Sequence, residues 1–393
     1  MPPTDDETPA APGPAGPAPA GTRTGTGPET GTETQTGTRT ETRTETEAGA
    51  TTDAAAGLAR DMPASDTTGP RTDAGLPEVA VVIPAYNATR TLERAIASAR
   101  AQEGVRVTEI VVVDDASTDG TWDLLGRLAR DMAELRPVRN DRNLGPGDTR
   151  NRAVAEVTAP WFAVLDADDA MTPGRLARMV GVAEAGGFDA LSDLPLYWDA
   201  GAGRLATGQL PASGAVRTLG FADLLRRDPA TELDLGLMKP LFRTLLRDRG
   251  LIVYPPIRHA EDWAMYMGLI EAGARFGLLS EAHYVFTTRI GSDSGEVSPH
   301  SVTRVNYHAI AGETRRLAAR MAGRPGWDDE AAALSAARIA ELRRMNRLWG
   351  WTMLRKGEGR RFAQWIGTNP RNIATVAGVA ARKLAGHRGR PDW

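Results

Sequence analysis

Three carboxylates, Asp166, Asp168 and Asp169, follow directly on the apolar run Phe162 to Leu165. A short apolar run of this kind reads as a strand buried in a parallel sheet. Open α/β sheets bind ligands at the carboxyl ends of their strands, so these acids emerge where chemistry is usually done. Like charges packed so closely are costly unless a cation or a substrate charge offsets them. Pro173 then opens a helix at its first turn. Taken alone, the segment also fits an acidic strand-to-helix turn, and its neighbours must decide between the two.

Those neighbours carry more polar chemistry. Asp114 and Asp115 close the run VVVDDASTDGT, where they can accept hydrogen bonds from a base or a ribose, or cap the next helix along with Ser117 and Asp119. The stretch RNLGPGDTRN supplies Gly145 and Gly147 for close backbone approach, with Arg142 and Arg150 beside a helix start. Helix-start amides and guanidinium groups both favour phosphate oxygens, although a Gly-Pro turn capped by Asp148 would read the same way. Glu261 and Asp262 follow YPPIRHA at the head of another helix, whose positive N-terminus they complement.

The elements that must position these residues alternate. The spacing predicts strands over 79–83, 110–113 and 162–165, with a short strand before the glycine loop. Helices are expected over 91–102, 121–135 and 173–184, and a third-motif helix after Gly147. Strands alternating with helices argue for βαβ units and a parallel sheet. Further on, ALSDLPLYW and HYVFTTRI are strand-like, GLMKPLFRTLLRDRG is a loop leading into a helix, and residues 263–271 are helical. From residue 302 onward the pattern is helical.

Composition narrows the setting. The chain has 393 residues, 41% of them hydrophobic, and a net charge of −3, enough for one or two substantial cores. That small charge hides an acidic head, with 12 Asp/Glu against 5 Arg in residues 1–76, and a basic tail, with 12 Lys/Arg against 3 Asp/Glu in residues 341–393. Residues 1–76, rich in Thr, Pro and Gly, hold too few large apolar side chains to fold and are expected to be a disordered tether. The absence of cysteine excludes disulfides, thiolate chemistry and cysteine zinc sites. No apolar run reaches the ~20 residues of a membrane span, and the start of the chain lacks a secretory pattern. A cytoplasmic location is expected, with membrane contact at most peripheral.

In order and spacing the motifs at 81–87, 111–121, 142–151, 165–169 and 259–263 closely resemble the family 2 glycosyltransferases of the GT-A fold. The resemblance runs over roughly residues 77–294 and is nearest in kind to the bacterial polysaccharide and succinoglycan type. It implies an α/β fold with a mostly parallel, Rossmann-like sheet flanked by helices in residues 77–300, followed by a helical region, 301–393. It further implies inverting, metal-dependent transfer of a sugar from a nucleotide-diphosphate donor, with UDP-sugars foremost, to a hydroxyl of a glycan or lipid-linked acceptor in polysaccharide synthesis. The QxxRW signature of processive synthases is absent, which argues for one sugar per visit.

On this resemblance Pro84, Tyr86 and Asn87 line the base slot and Asp114 or Asp115 reads the base. Gly145 and Arg150 meet the diphosphate, although Asp148 and Thr149 stand where the family has small residues. Asp166 is expected near the sugar or ribose, and Asp168, with Asp169 nearby, would hold Mg²⁺ or Mn²⁺, both of which favour oxygen ligands. Asp262 would be the base that takes the acceptor proton, with Glu261 as its orienter. Lys239 is placed at a phosphate or in solvent, Arg289 with Ser292 and Ser294 on a loop over the diphosphate, and His259 at the metal or in a structural contact.

The tail interleaves Trp349, Trp351 and Trp365 with Arg and Lys, as an interfacial helix does. Packing of the same tryptophans on the main domain is the competing expectation. Nucleic-acid binding fits poorly, because no binding module accompanies the charge. Two readings from other classes remain: a nucleotide-sugar-binding scaffold without turnover, and a phosphoacceptor receiver-like module, which also places acids after successive strands.

Overall fold

The computed structural model describes residues 75–199, 204–205, 213–228, 231, 233–288 and 306–384. The expected tether, residues 1–74 of it, lies outside the described residues, as do Arg289, Ser292 and Ser294. The first half runs β1 (Glu78–Ala85), α1 (Leu92–Arg100), β2 (Arg106–Asp114), α2 (Thr121–Leu128), β3 (Leu135–Arg139), α3 (Pro146–Ala155), β4 (Trp161–Val164), β5 (Ala170–Met171) and α4 (Arg175–Gly186). The second half continues with β6 (Ala190–Asp199), β7 (Arg204–Leu205), β8 (Val216–Thr218), α5 (Phe221–Leu225), β9 (Leu241–Arg243), α6 (Thr244–Asp248), α7 (Glu261–Glu271) and β10 (Phe276–Thr288). Four helices close the chain: α8 (Tyr307–Met321), α9 (Asp329–Arg355), α10 (Gly359–Thr368) and α11 (Arg371–Leu384).

One mixed sheet carries the strands in the order β3-β2-β1-β4-β9-β6-β10-β5, with β7 beside β6 and β8 beside β10. β3, β2, β1 and β4 are mutually parallel. β9 enters antiparallel between β4 and β6, and β6 runs parallel to β10. Along β1, Val79, Val81 and Ile83 face one core while Ala80 and Val82 face the other. Burial on both faces is why these strands are continuous apolar runs instead of alternating ones. Helix α1 buries Leu92, Ala95, Ile96 and Ala99, the i, i+3, i+4, i+7 stripe of a helix laid on a sheet. The expected helix over 121–135 stops at Leu128, because Leu135 is itself the first residue of β3, paired with Ile110. Leu128 and Met132 continue a helical spacing into what is a turn.

The C-terminal helices share the main core. Leu317, Met321 and Ala331 lie in one buried cluster with Leu224 and Trp263, and the Arg338 guanidinium stacks 4.6 Å over the Trp263 ring. Two of their tryptophans follow the packing expectation. Trp365 is fully buried, its Nε1–H donating to Asn346 Oδ1 at 3.1 Å, and Trp349 packs beside Tyr307, Ile310 and Leu342. A ring enclosed in this way is not offered to a lipid surface. Among the described residues no helix is long and apolar enough to cross a membrane.

Helix α9 approaches the Trp365 ring at Gly350, where any Cβ would collide with the indole. Gly350→Ala is expected to cost about 2 kcal/mol by overpacking, read by urea denaturation. The same substitution at open Gly312 should change little, as its added methyl meets only a mobile arginine tip.

Candidate active site

Five charged side chains from four segments converge beyond the carboxyl ends of β1 and β4. Arg150 comes from α3, Asp166 from the turn after β4, Lys239 from the approach to β9, and Glu261 with Asp262 from the first turn of α7. Arg150 Nη1 donates to Glu261 Oε1 and Nη2 to Asp166 Oδ1, each at 2.8 Å, and Nη1 lies 3.2 Å from Asp262 Oδ1. Lys239 Nζ donates to Asp262 Oδ2 at 2.7 Å and stands 3.3 Å from Asp166 Oδ2. The Arg150 guanidinium also lies 5.6 Å from the Tyr254 ring centroid. Asp166 keeps partial exposure, while Arg150, Lys239, Glu261 and Asp262 are buried.

Three carboxylates against two cations leave the cluster one negative charge in excess. Burial alone would discharge both cations, yet Asp262, Asp166 and Glu261 hold Arg150 firmly protonated, and Asp166 with Asp262 do the same for Lys239. Burial would likewise raise Asp166, but Lys239 and Arg150 bring its carboxyl down to about 2. Glu261 moves the other way, raised by burial and by the Asp262 charge beside it. Asp262 Oδ1 is buried and receives no hydrogen bond.

Around this cluster the loops are tied down by acids the sequence also singles out. Asp115 accepts from Asn140 Nδ2 at 2.7 Å and from the backbone N–H groups of Leu144 and Gly145 at 2.8 and 2.9 Å. Both its oxygens therefore hold the glycine loop. Asp114, fully buried, pairs with Arg139 Nε at 3.2 Å, and Arg139 in turn lies 5.4 Å from the Trp122 ring centroid. Asn87, left-handed at φ 51°, accepts from the Thr118 N–H at 2.9 Å and stitches the turn after β1 to the turn after β2. Pro84 and Tyr86 flank this junction, both partly exposed. Gly147 lets the start of α3 press on the 254–261 segment: a Cβ there would stand 3.0 Å from the Pro255 carbonyl.

The acid turn is anchored to β10. Asp169 accepts from Tyr284 Oη at 2.7 Å and from the Thr287 N–H at 2.8 Å, and is buried. Burial, with the Asp168 and Asp166 charges, pushes its carboxyl well above the usual range. Arg94 Nη2 donates to the Asp168 carbonyl at 2.5 Å and to Thr287 Oγ1 at 2.7 Å. Asp168 alone of the three is exposed at the surface. Among the described residues no three acids or histidines are grouped to hold a metal ion. One outward carboxylate still fits Mg²⁺ or Mn²⁺, which keep waters and share a diphosphate's oxygens instead of filling an all-protein cage.

Three expectations are thereby corrected. Asp169, expected beside Asp168 at a metal, instead turns both oxygens to Tyr284 and Thr287 of β10. Arg150 is not a free phosphate ligand, because Glu261, Asp262 and the partly exposed Asp166 all engage it. Lys239 is neither solvated nor aimed at a phosphate, for the same reason. Several positioning residues escaped the sequence reading: Tyr254, Tyr284, Thr287, Arg94, Arg139 and the fully buried pair Arg175–Asp193 at 2.8 Å. Arg175 also donates to the Lys239 carbonyl. Only its place within WFAVLDADDAMTPGRL could have drawn attention to Arg175, since long-range partners leave no local pattern.

A mixed sheet with acids gathered at the ends of its parallel strands is the architecture of a GT-A fold. The glycosyl transferase family 2 model matches residues 80–247, and this segment is a domain of that family. Two similar proteins from Rhizobium meliloti (strain 1021) are the succinoglycan biosynthesis proteins ExoO and ExoU. ExoO is 36% identical over 231 residues, covering 56% of this chain and 63% of that protein. ExoU is 32% identical over 230 residues, covering 57% and 66%. The chain thus spans a little under two thirds of the length of these relatives. The fold is also that of S. aureus TarS 1-349 in complex with UDP-GlcNAc, with a TM-score of 0.50 and 22% identity over 76% of this chain and 81% of that one. The receiver-like reading ends with this architecture.

Removing one member of a buried ionic group strands its partners. Arg150→Met is expected to cost about 3–5 kcal/mol in urea denaturation. Arg178→Ala, which breaks only the surface pair with Glu281, should stay within about 1 kcal/mol. The depressed Asp166 carboxyl stabilises the fold above its ordinary value of 3.8, and that contribution disappears as pH falls towards about 2. Acid titration of stability should show this loss between pH about 4 and 2, and Asp166→Asn should flatten it.

Proposed function

We propose that this protein is an inverting glycosyltransferase that moves one sugar per visit from a nucleotide-diphosphate donor, foremost a UDP-sugar, to an acceptor hydroxyl in polysaccharide synthesis. The observation that carries the reading is the convergence of Arg150, Asp166, Lys239, Glu261 and Asp262, distant in sequence, on one buried point beside Asp168. A merely structural acid pair at a helix start needs only that helix's positive end. Here it recruits two buried cations from elsewhere in the chain.

The chemistry follows from the geometry. Lys239 and Arg150 keep Asp262 oriented, and its Oδ1, without a donor of its own, is placed to accept the proton of an acceptor hydroxyl. As that proton leaves, the acceptor oxygen bonds to the anomeric carbon while the bond from that carbon to the diphosphate oxygen breaks. The nucleoside diphosphate departs with the bonding pair, and a single displacement inverts the anomeric centre. Glu261, fixed by Arg150, borders the same point and orients the acceptor. A divalent ion held by Asp168, when bound, would supply charge stabilisation to the leaving diphosphate. Asp114 with Arg139 and Trp122 stands at the end of β2, where the nucleoside would lie. The similarity to ExoO and ExoU supports polysaccharide assembly as the setting.

Nucleoside diphosphate release from UDP-, GDP- and dTDP-sugars in the presence of Mn²⁺ tests this reading. Release from one donor should fall about 10²- to 10⁴-fold in Asp262→Asn, the range of a lost general base. Asp168→Asn or chelation of the metal should suppress it as well, and donor titration should show Asp262→Asn still binding. Near-normal turnover in Asp262→Asn would overturn the assignment. Donor binding without release from wild type on any acceptor would favour a binding scaffold.

A further inference from the structure

Outside the acid cluster an opening lies between α8, the start of α11 and the segment leading into α7. It is a cleft of about 540 Å³ lined by Ile257, His308, Ala309, Gly312, Arg316 and the Asn369–Arg371 turn. That volume suits a small ligand. One wall belongs to the active site. Ile257 stands five residues before Asp262, and Ala260 of the same segment packs on the Tyr307–Ile310–Ala311 face of α8. The 257–260 segment thus connects this wall in sequence to the acid pair.

The charge around the cleft is mostly positive. Arg315, Arg316, Arg343 and Arg371 are all exposed, and the only ion pair that any of them makes among the described residues joins Arg316 to Glu313 at 2.8 Å, with Arg316 itself 75% exposed. So exposed a pair holds its partners weakly. The His308 imidazole registers the same field: burial lowers its proton affinity, and Arg371, Arg315 and Arg343 lower it further. Its orientation is built. Trp365 Nε1–H can only donate, so Asn346 Oδ1 is its acceptor, and Asn346 Nδ2 faces His308 Nε2 at 3.2 Å. A hydrogen bond with the Asn372 side chain acts the other way and favours the protonated ring. One weakly paired guanidinium, Arg316, a second, Arg371, with no ion pair among the described residues, and an imidazole beside them suit a phosphate group, whose oxygens match the guanidinium fork.

We propose that this cleft is an acceptor subsite that binds the phosphate or diphosphate of a phosphorylated acceptor through Arg316 and Arg371. The assignment of the ligand as acceptor rests on the glycosyltransferase reading above. Neither arginine belongs to the acid cluster, so their removal should leave acceptor-independent donor hydrolysis unchanged.

The probe is inorganic diphosphate, titrated calorimetrically into the full chain, with thermal melts to confirm that each variant is folded. Wild type should bind it, and Arg316→Ser/Arg371→Ser should weaken binding about 10- to 100-fold, the loss of two charged contacts. Asp168→Asn should leave it unchanged, and Glu313→Gln, which releases Arg316, should tighten it a few-fold. No binding, binding indifferent to the arginine pair, or binding lost in Asp168→Asn would overturn the proposal, the last because the diphosphate would then occupy the donor site. Flotation with phosphatidylglycerol vesicles but not phosphatidylcholine vesicles, abolished in the arginine pair and competed by diphosphate, would reassign the ligand to a lipid headgroup and overturn the acceptor assignment. Donor hydrolysis on the same preparations separates the two readings. A hydrolysing enzyme with a silent cleft refutes the subsite alone, whereas a silent enzyme with a diphosphate-binding cleft refutes the glycosyltransferase.

Discussion

Everything at this site depends on keeping three carboxylates within a few ångströms of one another in a place with little water. Burying a charge without a partner is prohibitive, and two acids alone would share a proton instead of both ionising. Arg150 and Lys239 resolve this by reaching in from opposite sides, each touching more than one acid. The consequence is positional as well as electrostatic. Asp262 is gripped on its Oδ2 side by Lys239, and Arg150 stands beside Oδ1 without hydrogen-bonding to it. One oxygen is thus left without a hydrogen-bond donor on a side chain held from two sides.

Such a cluster is only as accurate as the segments that deliver its members, and each is held by a second layer. The Lys239 segment is fixed through its backbone: Tyr266 Oη donates to the Met238 carbonyl and Arg175 to that of Lys239, with Arg175 itself locked by Asp193 and stacked 5.0 Å from the Tyr284 ring centroid. Tyr284 in turn holds Asp169 and accepts from the Asp166 N–H. The acid turn, the lysine and the end of β10 therefore move together or not at all. Asp115 plays the same part for the glycine loop that leads to Arg150. Contacts of this kind hold charged side chains to within a fraction of an ångström of fixed places.

The parallel half of the sheet and the positions of the acids were legible in the sequence, because apolar runs ending in Asp are local patterns with a local cause. What the acids touch was not. Asp115 has the same neighbours in sequence whether it reads a base or binds the loop at 140–145, and only the fold brings that loop back to it. Asp168 and Asp169 are adjacent, yet one faces solvent and the other β10, a difference set by a strand more than a hundred residues away. Lys239 and Arg150 were legible as cations but not as partners of acids. Trp365 was ambiguous for a related reason: aromatic and basic residues alternate in the same way in an interfacial helix and in a helix that packs its rings inward, and the buried Asn346–Asn372 pair beside it leaves no pattern in that alternation.

The helices after β10 bear on the chemistry through α7. Asp262 sits on the first turn of that helix, and the turn is entered through Ala260 in a left-handed conformation, φ 63°, which a non-glycine residue holds only when its surroundings enforce it. Those surroundings are α8 and α9. Ala260 packs on Tyr307, Ile310 and Ala311, and the next residue but two, Trp263, is clamped between the Leu224 carbonyl, 2.7 Å from its Nε1, and the guanidinium of Arg338. The helical region therefore presses the strained entry of α7 into place from behind, so that the orientation of the acid pair is a property of both parts of the chain. A strained turn backed by packed helices has two discrete alternatives, seated or released, and not a continuous range. Loss of the α8 contact would accordingly disorder Glu261 and Asp262 together while the sheet stayed intact.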